Sequence, residues 1–108
     1  MFGATIYNAN DANATSTERS FSTKETAIAV CTCEVVGTGS NKPTVTVQGK
    51  LFASTDATVD SGWVDIVTFS NIDDDSVVGR AIGMFTFLRV VVSGNTDNKN
   101  IQVSVGYH

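Results

Sequence analysis

At 108 residues and a net charge of −4, the chain has room for one domain around one modest core. Its basic residues are few and scattered, which excludes an extended nucleic-acid footprint. No run approaches the roughly 20 apolar residues of a membrane-spanning helix.

Val and Thr are abundant and Leu is scarce, a bias that suits pleated sheet and disfavours helix. The chain opens with Phe2-Gly-Ala-Thr-Ile-Tyr7, followed by a polar stretch over 8–17. Such a composition cannot build its own core. Residues 1–20 are therefore set apart as an N-terminal arm, and 21–108 as the β domain. Either the domain's own sheet holds the arm, with Ile6 and Tyr7 in a first strand, or a neighbouring subunit does. No basic segment precedes an apolar run here, so no signal peptide is expected. Synthesis and assembly in the cytoplasm is the expectation.

Residues 21–36 form the next β candidate. Ala27, Ala29, Cys31 and Cys33 share one face, and Ile28 and Val30 the other. The two cysteines lie side by side on a strand with parallel side chains, a poor geometry for a disulfide. They are expected to be reduced, buried, small hydrophobes. Gly37 to Pro43 is turn chemistry. Residues 44–53 alternate cleanly, with Val45, Val47, Leu51 and Ala53 inward and Thr46, Gln48 and Lys50 outward. Gly49 falls on the inward side, where it marks a bulge or a close backbone approach.

Residues 54–62 are polar and acidic and form a loop. Trp63, Val67 and Phe69 share a face of the next strand. Trp63 is expected in the core, with a sugar-stacking platform as the alternative. Asp73, Asp74 and Asp75 form a solvated acidic loop, or else a calcium site. They lack the Asp-x-Asp-x-Asp-Gly spacing of a calcium loop. A short strand over 77–83 follows.

Met84, Leu88, Val90 and Val92 fall on one face of a strand that is apolar on both sides, and Phe85, Phe87 and Val91 on the other. Such a strand is usually central. Arg89 projects from the Phe face. It is either a snorkelling or salt-bridged arginine or a partner contact. Ile101, Val103, Val105 and Tyr107 alternate with polar neighbours. The two runs, joined by a polar loop after Gly94, are expected to pair as a hairpin.

Several short strands in one domain must close as two packed sheets or a barrel. The expectation is an all-β, antiparallel β-sandwich, jelly-roll-like or Ig-like. The only histidine is His108, so neither a Ser–His nucleophile nor a Cys/His metal site is expected. The scattered aspartates lack the spacing of a glycosidase pair. An enzyme is not expected, nor a cofactor, metal or membrane partner.

Three stretches carry a resemblance: Thr-Val-Thr-Val-Gln-Gly-Lys-Leu-Phe-Ala at 44–53, Ser-Gly-Trp-Val-Asp-Ile at 61–66, and Phe-Thr-Phe-Leu-Arg-Val-Val-Val-Ser-Gly at 85–94. Together they resemble small β-sandwich structural proteins of tailed bacteriophages. The loop over 55–61 departs from that family's tight Asp-Gly form. The resemblance implies a virion component, foremost a capsid decoration or cement protein bridging capsid subunits, commonly as a homotrimer. It would be assembled in the host cytoplasm and would act by burying area between subunits. Phe2, Ile6 and Tyr7 would then contact another chain. The alternatives are a neck or tail component, or a glycan-binding module of a host-recognition device, with Trp63 or Tyr107 exposed in a shallow groove.

Overall fold

A computed structural model describes residues 2–17, 19–20, 28–50, 62–83 and 87–107. Leu51, Ala53, Met84 and Phe85 lie outside the described residues, as does the acidic loop before Trp63. The elements run in the order β1 (Phe2–Ala9), β2 (Ala14–Thr15), β3 (Arg19–Ser20), β4 (Ile28–Val36), β5 (Thr44–Lys50), β6 (Val64–Phe69), β7 (Ser76–Gly83), β8 (Phe87–Ser93) and β9 (Asn100–Tyr107). All are strands, and every pairing is antiparallel.

Two sheets form. One has the order β1-β9-β4-β7; the other has β2-β8-β5-β6, with β3 also on β8. The pairings nest: β1 with β9, β2 and β3 with β8, β4 with β7, β5 with β6. One long antiparallel ribbon folded at its middle and rolled up gives this order, which is a jelly roll. An Ig-like order, built from consecutive hairpins and Greek-key returns, is not what the chain adopts.

The expected hairpin between the last two strands does not exist. β8 lies in the second sheet between β2 and β5, and β9 lies in the first between β1 and β4. Residues 94–99 cross from one layer to the other. Alternation fixes which face of a strand is apolar, and both strands keep the expected faces. It does not fix the partner, and a six-residue connection reaches a facing sheet about 10 Å away as easily as a neighbouring strand.

Residues 2–20, set apart in the sequence as an arm, contribute strands to both sheets of their own chain. β1 pairs along its length with β9, while Ala14, Thr15, Arg19 and Ser20 pair with β8. The polar stretch is held by backbone ladders instead of by a core of its own.

The core lies between the sheets. Cys31, Cys33 and Val35 of β4 and Ile101, Val103 and Val105 of β9 meet Val45 and Val47 of β5 and Leu88, Val90 and Val92 of β8. Cys31 and Cys33 are free and fully buried. Burial pushes both thiols up to about 12, Cys33 with a smaller push from Cys31 beside it. Thiolate is the reactive form, so a native sample at pH 8 should resist iodoacetamide. Both residues should label promptly in urea. Mass spectrometry reads the difference, and rapid native labelling would contradict the packing.

Candidate functional site

β-bulges decide what each outer face presents. The register of β5 against β6 slips between Val47 and Gln48: Val47 faces Val67, but Gln48 faces Asp65, leaving Ile66 as the extra residue. One extra residue flips the face of everything beyond it. Phe69 stays in the core, 2% exposed. Trp63, which shares its parity in the sequence, is turned to the outer face. This corrects the expected core position of Trp63.

There it meets two cations. The Arg89 guanidinium stands 4.4 Å from the ring centroid and Lys50 Nζ 4.9 Å, both within cation–π range. Arg89 Nε donates to Gln48 Oε1 at 2.7 Å, and Gln48 Nε2 donates to Asp65 Oδ1 at 2.9 Å. Across β8, β5 and β6 the outer face thus carries a chain of Arg89, Gln48 and Asp65 beside a half-buried Trp63. Lys50 is 6% exposed; its stem lies under this cluster although it points away from the core. Arg89→Ala should perturb Trp63 fluorescence while costing only about 1 kcal/mol of stability. An unchanged spectrum in the folded variant would contradict the stacking.

A second bulge acts on β1. Its register against β9 slips between Thr5 and Tyr7, which brings Ile6 and Tyr7 both toward the interior. Tyr7 is 9% exposed and belongs to the core cluster, with Ile6 half-buried against it. The Tyr7 hydroxyl donates to Asp11 Oδ2 at 3.2 Å. Burial, then the Asp11 charge, raises its pKa above the usual tyrosine value. These side chains are engaged by their own chain. Phe2 pairs through its backbone with Tyr107; both side chains lie outside the described residues. Of the four expected contact residues, Arg89 stands on the outer face, and the structure does not bring it together with Ile6 or Tyr7.

One end of the sandwich is built around a residue that sequence reasoning passed over. Lys99 is 2% exposed. Its Nζ donates to Gly39 O at 3.0 Å, Asn41 O at 2.5 Å and Asp74 Oδ1 at 2.6 Å. Asn95, fully buried, accepts from Lys99 N and donates to Lys99 O and Asp11 O. Asn41 N donates to Asp97 Oδ2 at 2.9 Å. The β1–β2, β4–β5, β6–β7 and β8–β9 loops are thereby tied into one knot. Hydrogen bonding to Lys99 holds the Asp74 carboxyl below the usual aspartate range.

The triple aspartate is neither simply solvated nor arranged for calcium. Asp73 pairs with Lys42 at 3.3 Å, Asp74 with Lys99, and Asp75 Oδ1 accepts from Gly37 N. Among the described residues no three His, Cys, Asp or Glu side chains stand together as a metal site. The one sequence signal for the knot was the density of Asn and Asp in four loops, which turn chemistry alone explains equally well.

No family model, no curated protein and no solved structure matches the chain.

Proposed function

We propose that the chain is a virion structural protein, foremost a capsid decoration or cement protein that bridges neighbouring capsid subunits. The observation that carries this reading is the division between a sealed loop end and open faces. In many sandwiches, loops at one end form the ligand site. Here the Lys99 knot fills that end with backbone carbonyls and an ammonium. Among the described residues, what remains is the two flat outer faces of the sheets; the loops of the opposite end lie outside the described residues. The fold is shared by capsid and lectin domains; by itself it is an analogy.

The outer face around Trp63 and Arg89 is the contact to the capsid. Trp and Arg are the residue types that dominate binding energy at protein interfaces. Many copies at symmetric sites make modest single contacts strong together.

A second reading, glycan binding, is favoured by one observation: Trp63 is outside the core, beside Gln48 and Asp65. Against it, two cations stand over the ring where a sugar would stack. Co-sedimentation of the purified protein with particles of the encoding phage that lack it separates the readings. Capsid binding that falls at least tenfold in Trp63→Ala and Arg89→Glu supports decoration. Absence of particle binding, together with glycan-array binding lost in Trp63→Ala, supports the second reading.

A further inference from the structure

We propose that the outer face of the β1-β9-β4-β7 sheet is a self-association surface, which a second copy of this chain covers about a two-fold axis. It is a different face from the Trp63 cluster, and the inference holds wherever the protein acts.

Three observations carry it. The first is charge. A second copy brings the same net charge of −4, so it can approach only where like charge is sparse. Among the described residues that point outward from this sheet, Glu34 is the only charged one. The opposite face carries Lys50, Asp65 and Arg89, and the loop end carries the remaining aspartates of the described chain. Three of the four exposed large hydrophobics, Val30, Val36 and Val77, also lie on this sheet.

The second is that several polar groups of this face, those of β1 and β9, are already paired with one another. Thr5 Oγ1 and Ser104 Oγ pair at 3.4 Å, Gln102 Nε2 reaches Thr5 Oγ1 at 3.5 Å, and Asn100 Nδ2 donates to Asn8 Oδ1 at 3.1 Å. Covering a polar group costs most when it loses water without a partner. These groups keep their partners when the face is covered.

The third is shape, read from the register. One row across the sheet is Gly3, Gly106, Val30 and Ala81; the next is Thr5, Ser104, Thr32 and Gly79; the third is Asn8, Gln102, Glu34 and Val77. A two-fold axis along the middle row lays the third row of each copy over the first row of the other. Asn8 and Gln102 then stand over Gly3 and Gly106, in the shallow trough that the glycines leave, while Glu34 stands over Val30 and Val77 over Ala81. The two Glu34 carboxylates come no nearer than about 13 Å, four residues along a strand.

Four strands about 4.8 Å apart and some eight residues long give a footprint of about 500 Å² a side. The total of about 1,000 Å² is the lower limit of a specific interface. The contact is therefore weak for one pair and effective where copies are held in an array.

Sedimentation of the full chain from about 10 μM to about 1 mM tests this. A reversible monomer–dimer equilibrium is expected, and Thr32→Arg should weaken it at least tenfold. Thr46→Arg, on the opposite outer face, should leave it unchanged. Ser104→Cys supplies an independent readout: a short bis-maleimide should join it to its own mate across the axis, while the buried native thiols stay unmodified. A Thr68→Cys control should not be joined. A monomer at 1 mM, a trimer, or a dimer that Thr32→Arg leaves intact and Thr46→Arg breaks overturns the proposal. So does a folded Ser104→Cys protein that fails to cross-link at dimer-forming concentration.

Discussion

Lys99→Met lowers stability by about 3 kcal/mol, the largest loss expected from any one polar substitution in this domain. Methionine keeps the length of the stem and removes the ammonium. Two backbone carbonyls, Gly39 O and Asn41 O, then lose their charged donor at a part-buried site around the fully buried Lys99 side chain. Each unsatisfied buried acceptor costs about 1–3 kcal/mol. Asp74 is left without its partner too, but its side chain is 32% exposed and water replaces part of what it loses. For a domain of this size 3 kcal/mol corresponds to a fall in Tm of roughly 15 °C. Urea unfolding measures it; a loss under about 0.5 kcal/mol would mean that the ammonium is not the tie between the loops.

The same knot predicts a direction with pH. The folded state holds the Asp74 carboxyl below the ordinary value of 3.8, so the unfolded chain binds its proton first as acid is added. The contribution of Asp74 is complete above the ordinary range. It is lost as pH falls through 3.8 toward the lower folded value. Lys99→Met should remove this part of the acid sensitivity along with the stability.

Gly37→Ala is the second large effect, about 2–3 kcal/mol. Gly37 has φ = +149°, a region that side chains rarely enter. A Cβ built there would stand 3.0 Å from Lys99 Cγ and 3.2 Å from Lys99 Cα and Cβ. The flexible end of a lysine could swing aside, but Cα is backbone, so the loop itself must shift. The strain and the knot are one structural unit. The double variant with Lys99→Met should therefore lose less than the sum of the two, because a knot already opened has less to lose. Strict additivity would show that the crossing at Gly37 and the ammonium site act separately.

The sequence made the faces legible and left the partners hidden. Alternation placed Val45 and Val47, then Leu88, Val90 and Val92, then Ile101, Val103 and Val105 in the core, and all are buried there. It also placed Cys31 and Cys33 on a buried face. Alternation is a local property, and strand pairing is not, so it makes neighbours of β8 and β9 although they belong to different sheets. The two bulges have no residue signature of their own. Nothing at Ile66 or Ile6 announces an extra residue, yet the first moves Trp63 out of the core and the second turns Tyr7 into it. Lys99 was hidden for a different reason. A lysine in an Asn-rich loop is solvated in most proteins, and only the convergence of Gly39, Asn41 and Asp74, distant in sequence, gives it enough partners to be buried.

For the proposed decoration role, the most direct test is a cryo-EM reconstruction of the phage particles produced by a host that expresses this chain. The account predicts repeated two-layered density on the capsid surface, with the Trp63 and Arg89 face against the shell. Particles whose density at every symmetric capsid site lacks this slab, with the chain found only in a soluble, unassembled form, would contradict it.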